Sequence, residues 1–148
     1  PVCARMRGTK DKESRMSPKD IRWRQRFTNF EKAVGALERT IQIDSLSEAE
    51  RGGLIQFFEV AFELAWKTMK DYLEADGFDV RSPRDTLKQA FQNGLVKEGH
   101  QWLEALEHRN LTAHTYDEAA SIAVEKLIRE RYFPIIKALC QKLQQEVQ

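Results

Sequence analysis

The segment from Leu54 to Trp66 constrains the fold of this chain more than any other, because its apolar side chains cover nearly all sides of a helix. A helix that packs against a single core needs only one apolar stripe. This segment therefore has a second face to bury. The simplest partner for that face is a two-fold copy of the same chain, which predicts a homodimer. The alternative is a central helix that is surrounded by its own chain.

The other segments carry the apolar spacing of three and four residues that is typical of amphipathic helices. The sequence has no β-branched runs, and its 148 residues include only 7 glycines and 4 prolines. We therefore predict an all-α fold, an up-and-down four-helix-type bundle with an extra short helix. Residues 1–17 lack an apolar period and predict a disordered N-terminal leader, or alternatively an RNA-contacting arm. The bundle domain is expected over residues 18–148.

Capping patterns indicate where several of these helices begin. A serine at the N-cap, followed by proline or three residues later by glutamate, is typical of a helix start. Such patterns occur at Ser17, Ser47 and Ser82. The acids Asp117 and Glu118 indicate a further start, because negative charge is favourable at a helix N-terminus. Pro134 lies inside the last helical pattern and predicts a kink near residues 130–131.

Composition and spacing exclude several classes of protein. The net charge of +1 argues against a protein that coats nucleic acid regardless of sequence. No apolar run reaches the ~18 residues of a membrane span. The two cysteines form no CxxC pair, the three histidines are not at helical ligand spacing, and no glycine-rich phosphate loop is present. We predict a soluble cytoplasmic protein without a metal or cofactor.

Two acids lie inside the apolar segment. Glu59 and Glu63 are four residues apart on one helix face, and carboxylates in such surroundings need a partner. Lys67 is available to Glu63 at the next turn, and Arg109 is a candidate for either acid. We interpret the acids as members of a structural ion pair. A role as a catalytic acid is the alternative.

The stretch from Arg109 to Tyr116 combines a guanidinium, an imidazole and a phenol, which are suitable groups for handling phosphate esters. Arg109 and His114 are five residues apart, which separates their side chains by about 140° on an unbroken helix. They converge only if the helix breaks between them, as the acids at residues 117–118 predict. Taken singly, each residue also has a structural interpretation: a partner of the helix dipole, a packing histidine and a half-buried tyrosine.

At this stretch the chain resembles HEPN proteins, whose signature is Arg, a polar residue, three further residues, His, any residue and Tyr. The flanking segments are RWRQRFTNFEKA, FFEVAFELAWKTMKDYLEADG, SPRDTLKQAF and WLEALEHRNLTAHTY. They resemble the branch known as nucleotidyltransferase substrate-binding proteins, the toxin subunits of pairs with a minimal nucleotidyltransferase. The resemblance extends from about Ile21 to about Leu143.

The resemblance implies a metal-independent endoribonuclease, the toxin of a toxin–antitoxin pair, with RNA as its substrate. His114 is the candidate acid or base, because it is the only group of the motif with a reference pKa near 7. Arg109 would hold the phosphate and stabilise charge on its oxygens. Asn110 would orient the backbone or His114, Tyr116 would donate a hydrogen bond to a phosphate oxygen, and Glu63 would support the site.

The same resemblance implies a regulatory partner. In the family a nearby-encoded minimal nucleotidyltransferase attaches AMP to the motif tyrosine, which corresponds to Tyr116. The added negative charge would neutralise the cation that is meant for RNA. This chain has no Gly-Ser plus Asp-x-Asp pattern and is not itself the transferase. The older family name implies an alternative, a non-catalytic substrate-binding subunit of the transferase, and a purely structural interaction module is a third hypothesis.

Overall fold

The computed structural model describes residues 16–112 and 117–148, with only the backbone of residues 110–112. Its α-helices are, in chain order, α1 Pro18–Ile41, α2 Glu48–Ala75, α3 Pro83–Gln92, α4 Gly99–Thr112, α5 Glu118–Leu127 and α6 Phe133–Val147. A π-helical turn, Ile128–Tyr132, joins α5 to α6. No strand occurs in the part of the chain that is described. The prediction of an all-α bundle with an extra short helix, here α3, is confirmed. The predicted leader lies almost entirely outside the described residues.

The serine caps are present at the predicted helix starts. The Ser17 hydroxyl oxygen accepts a hydrogen bond from the backbone N–H of Asp20 at 3.2 Å, and Ser82 does the same for α3. Ser47 and Glu50 form a full capping box, in which each side chain accepts from the other residue's backbone N–H. These contacts satisfy N–H groups that have no partner in the first turn of a helix. Short-range chemistry therefore determines where these helices begin.

The central helix is α2, which contacts every other α-helix. Side chains along its apolar segment are fully buried within its own chain, among them Leu54, Phe58, Ala61, Phe62 and Ala65. Leu64 and Trp66 are partly buried, and Phe57 and Val60 are exposed, with 39% and 45% of their surface accessible. The alternative of a helix surrounded by its own chain therefore accounts for most of the segment. The exposed part of the second face consists of Phe57 and Val60, and the homodimer stays a prediction.

The π-helical turn is hydrogen-bonded to the C-terminal end of α1. Arg129 Nη1 donates a hydrogen bond to the backbone oxygen of Ile41 at 2.6 Å, and Arg129 Nε donates to Glu125 Oε2 at 2.9 Å. Pro134 is the second residue after the turn and has no N–H to continue an α-helical ladder. The wider turn therefore stands where the sequence predicted a kink. It carries the side chain of Tyr132 into the core, where it is fully buried.

Candidate functional site

Arg109 lies in the last turn of α4 and reaches across to α2. Its Nη1 forms an ion pair with Glu63 Oε1, and its guanidinium carbon lies 5.9 Å from the centroid of the Phe62 ring. A planar cation held by a carboxylate and an aromatic face has few other orientations. The cation of the motif is therefore fixed relative to the central helix, with 19% of its side chain exposed.

Glu63 is shared by donors from two helices. While Arg109 pairs with Oε1, the indole Nε1 of Trp66 donates to Oε2 at 3.0 Å, and Lys67 Nζ lies 3.7 Å from the same oxygen. Both partners that the sequence predicted for Glu63 therefore contact it. Glu59, one turn earlier on α2, also has a partner. The contacts of Glu63 agree with its interpretation as a member of a structural ion pair.

A new helix begins after the motif, as predicted. α4 is described as far as Thr112, and α5 starts at Glu118 with Asp117 as its N-cap. The Asp117 carboxylate accepts a hydrogen bond from the backbone N–H of Ala119 at 3.3 Å. The two helices that flank the motif are thus separate elements, and Arg109 belongs to the first of them.

The side chain of Asn110, and the whole of His114 and Tyr116, lie outside the described residues. Their convergence with Arg109 and Glu63 therefore stays a prediction. What the structure brings together is the Arg109–Glu63 pair.

A polar cluster beside Arg109 was missed by the sequence analysis. Tyr132 Oη donates to Glu104 Oε1 at 3.1 Å and is hydrogen-bonded to His108 Nδ1. Arg131 Nη1 donates to the same oxygen of Glu104 at 2.8 Å, so Glu104 is a carboxylate that accepts both bonds. The single hydroxyl proton of Tyr132 goes to Glu104. Tyr132 Oη must in turn accept the N–H of His108 Nδ1.

The buried position of Tyr132 keeps its hydroxyl protonated. Burial raises the pKa of this hydroxyl, and the nearby Glu104 carboxylate raises the pKa further. The ring stacks on Phe58 of α2 with 5.6 Å between centroids and 20° between planes. The sequence held a signal for the α4 side of this cluster: Glu104 and His108 are four residues apart, and such residues share one face of a helix.

A groove of about 650 Å³ lies between the α3–α4 connection and α6. Trp102, Arg131 and Pro134 are among its lining residues, whereas Arg109 and Glu63 are not. The motif cation and this groove are therefore separate features of the surface.

Within residues 16–112 and 117–148, no three or more His, Cys, Asp or Glu side chains are grouped so that they could hold a metal ion. In the same ranges, no helix is both long enough and apolar enough to span a membrane.

Comparison with known protein families gives the chain its place among relatives. The model of the family described as "Nucleotidyltransferase substrate binding protein like" matches residues 25–145. The chain belongs to this family. The resemblance inferred from the motif and its flanking segments is thereby confirmed, and so is the relation to HEPN proteins.

Solved structures similar to this member of the nucleotidyltransferase substrate-binding family have the same fold. HI0074 from Haemophilus influenzae, described as revealing the fold of a substrate binding domain of a nucleotidyltransferase, has a TM-score of 0.71 at 25% identity. A crystal structure of a protein from Thermus thermophilus has a TM-score of 0.68 at 30% identity. Each match covers 80% of this chain and 98% of the other.

One curated relative carries the name of an activity. The probable ribonuclease HepT of Haemophilus influenzae is 35% identical to this chain over 77 residues. The match covers 49% of this chain and 53% of the relative, so it spans about half of each protein.

Proposed function

We propose that this chain is the toxin of a HEPN toxin–antitoxin pair, a cytoplasmic, metal-independent endoribonuclease. A partner minimal nucleotidyltransferase would inactivate it by transferring AMP to Tyr116. The observation that carries the proposal is the arrangement of Arg109, which is ion-paired with Glu63 and lies over Phe62 at the start of the motif. The similarity to a protein named as a probable ribonuclease supports it.

Arg109 is suited to hold a phosphodiester. A guanidinium has five N–H donors in one plane, so the side chain can keep its contact with Glu63 and still donate to phosphate oxygens. A donor that is already oriented stabilises charge in the transition state without reorganising during the reaction. Glu63 therefore supports the site by holding the cation in place.

The proposed reaction is an internal transesterification of RNA. The bond between the ribose 2′-oxygen and phosphorus forms, and the bond between phosphorus and the 5′-oxygen breaks. The products are a 2′,3′-cyclic phosphate and a free 5′-hydroxyl. A base accepts the proton of the 2′-hydroxyl and an acid protonates the 5′-oxygen, and His114 is the motif group suited to such transfer. Asn110 would orient the motif, and Tyr116 would donate to a phosphate oxygen.

A homodimer would bring two copies of the motif into one cleft. Phe57 and Val60 are exposed apolar residues on the same helix that holds Glu63. Burying them against a two-fold copy would remove apolar surface from water. The two chains would then supply two imidazoles, one from each His114, to a shared site.

Transfer of AMP to Tyr116 would shut the site by charge and by bulk. The phosphate of the nucleotide carries negative charge, and Arg109 is the cation of the motif that would otherwise bind RNA. The modified tyrosine would thus occupy the place of the substrate. Because the partner acts on the toxin itself, neutralisation requires only catalytic amounts of the transferase.

A second candidate function is a non-catalytic substrate-binding subunit of the nucleotidyltransferase. The description of HI0074 as a substrate binding domain of a nucleotidyltransferase favours it. In this function Arg109 would hold the phosphates of a substrate for the transferase and would cleave nothing. The two functions differ in whether the chain acts on RNA by itself.

Expression of the chain alone tests the first function. We expect growth arrest and RNA fragments ending in 2′,3′-cyclic phosphate, with the same yield in the presence of a chelator. Arg109→Gln and His114→Ala should abolish both effects. Arg81→Gln and His100→Ala are matched controls, because Arg81 and His100 are exposed residues outside the motif, and both should leave cleavage intact. A harmless chain that leaves RNA whole would remove the ribonuclease hypothesis in favour of the binding subunit.

Co-expression with the neighbouring transferase tests the regulation. We expect mass spectrometry to find one added AMP on the peptide that contains Tyr116, with loss of cleavage. Tyr116→Phe should remain unmodified and should no longer be neutralised by the partner. Tyr72→Phe is the control, since Tyr72 lies on α2 outside the motif. Neutralisation of the Tyr116→Phe protein would contradict the proposed site of modification.

A further inference from the structure

We propose that Tyr132 is a positioning residue for the candidate site and that it acts through His108 on the orientation of Arg109. The effect of Tyr132 on RNA cleavage rests on the proposed function, whereas the effect of Tyr132 on the orientation of Arg109 does not. Tyr132 lies in the π-helical turn, 23 positions along the chain from Arg109 and outside the motif.

The hydroxyl of Tyr132 holds two successive turns of α4. It donates to Glu104 Oε1 at 3.1 Å and accepts from His108 Nδ1, so residues four apart on α4 bind the same oxygen. Tyr132 itself is fully buried and is stacked on Phe58. One face of α4 is thus tied to a side chain that the core holds in place.

This connection ends one residue before Arg109. The last turn of a helix lacks part of its hydrogen bonds and frays unless other contacts hold it. Arg109 lies in that turn of α4, and His108 precedes it directly. Fixing His108 therefore fixes the backbone from which the guanidinium extends.

Tyr132 and Arg109 both contact aromatic side chains of α2. Phe58 stacks on Tyr132, and Phe62, whose ring centroid lies 6.0 Å from that of Phe58, contacts the guanidinium of Arg109. The ring of His108 lies 5.6 Å from the ring of Tyr132. Neighbouring turns of α2 therefore contact both the side chain of Tyr132 and the guanidinium of Arg109. A change at Tyr132 acts on Arg109 through α4 while α2 stays in place.

The arrangement predicts what loss of one hydroxyl does. Tyr132→Phe keeps the stacked ring but removes both hydrogen bonds, so Glu104 and His108 lose their common anchor. His108→Ala removes the bond on one side only. His108→Asn retains a donor close to the position of Nδ1 and should keep the bond to Tyr132. The rigidity of the Arg109 side chain should therefore depend on the hydrogen bond between residue 108 and Tyr132, and not on the imidazole ring itself.

Order at Arg109 can be measured without any substrate. The ¹⁵N heteronuclear Overhauser effect of the Arg109 Nε–H reports how rigid the side chain is on the ps–ns timescale. We expect a rigid value in the wild type and in His108→Asn, and a clear reduction in Tyr132→Phe and His108→Ala. Tyr72→Phe is the control, because Tyr72 is half-buried on α2 and its ring packs against Trp23 of α1. An unchanged value in folded Tyr132→Phe protein would overturn the proposal.

Cleavage kinetics add a second test that a merely structural role would not satisfy. We expect Tyr132→Phe to lower kcat/KM for RNA by roughly 10- to 100-fold, since small misplacements of a binding group are costly in catalysis. In an Arg109→Gln background the same change should alter the residual rate by less than about twofold. Full loss of activity in His108→Asn with normal Arg109 order would contradict positioning and would indicate chemistry by the imidazole itself. A wild type that does not cleave RNA would refute the proposed function, and the Arg109 measurement would still decide the positioning role.

Discussion

Arg109 of α4 is ion-paired with Glu63 of α2, and Trp66 holds the other carboxylate oxygen of Glu63 at 3.0 Å. The pair joins the first residue of the motif to the central helix of the bundle. Because the two side chains are 19% and 38% exposed, the pair contributes little to the free energy of unfolding. Its main consequence is the direction in which the guanidinium points.

The substitution Glu63→Gln distinguishes the effect of the ion pair on the orientation of Arg109 from its effect on the stability of the fold. The amide keeps the size of the side chain but removes the charge that attracts Arg109, so we expect kcat/KM for RNA to fall roughly tenfold. The free energy of unfolding in urea should change by less than about 1 kcal/mol. Glu74→Gln is the matched control, because Glu74 forms an ion pair with Lys70 on the same helix and should affect cleavage little. Equal activity of wild type and Glu63→Gln would show that the pair does not orient the cation.

The exposed apolar residues of α2, Phe57 and Val60, predict a homodimer. Val60 is 45% exposed, so Val60→Glu introduces a charge without opening the core. If Phe57 and Val60 form a two-fold interface, two like charges would meet at the axis, and sedimentation should show a monomer in place of a dimer. Phe91→Glu is the control, since Phe91 is 53% exposed on α3. A wild type that sediments as a monomer would remove the composite cleft.

Much of the fold follows from local sequence patterns. The caps at Ser17, Ser47 and Ser82 use side chains within three residues of the helix start, so no tertiary information is needed to predict them. The burial of α2 is different, because the same apolar pattern is compatible with neighbours from one chain or from two. Only the arrangement of the surrounding helices shows which large apolar side chains of the segment stay exposed, namely Phe57 and Val60.

The Tyr132 cluster shows what the sequence pattern concealed. An α-helix turns about 100° per residue, so a spacing of four overshoots a full turn by about 40° each time. Val124, Ile128, Tyr132 and Ile136 are nevertheless all buried at that spacing. The wider π-helical turn absorbs the overshoot and keeps them on one face. A sustained spacing of four before Pro134 was the signal that could have predicted both the turn and a buried Tyr132.

The acid dependence of stability should involve Glu125. Burial raises the pKa of its carboxyl, but hydrogen bonds from Arg51 and Arg129 and the charges of these arginines outweigh burial, so the net pKa lies below the usual 4.5. A group whose pKa is lowered by folding stabilises the protein above its unfolded pKa, and the contribution is lost as the pH falls through the folded pKa. We therefore expect Glu125→Gln to be about 1–3 kcal/mol less stable than wild type at pH 7.

The same comparison at low pH provides the check. As the pH falls below about 4.5, the gap in unfolding free energy between wild type and Glu125→Gln should close, because the wild-type carboxyl takes up a proton. Urea titrations at several pH values measure it. Glu130→Gln is the control, because Glu130 is an exposed acid in the adjoining turn and should change stability little at any pH. A gap that stays constant from pH 7 to pH 3 would contradict the assigned cause.

The thiol of Cys140 should react slowly with alkylating reagents in the folded protein. Its side chain is buried, with 7% exposed, and burial, followed by the nearby Glu31 carboxylate, raises the pKa of the thiol to about 11. Since the thiolate is the reactive form, we expect maleimide labelling of Cys140 at pH 8 to be at least roughly 100-fold slower than that of an exposed cysteine. The measurement uses Cys3→Ser protein, so that one thiol remains. Ala138→Cys in a chain lacking both native thiols is the matched control, because residue 138 is exposed on the same helix. Equal labelling rates before and after addition of urea would mean that Cys140 is accessible in the native fold.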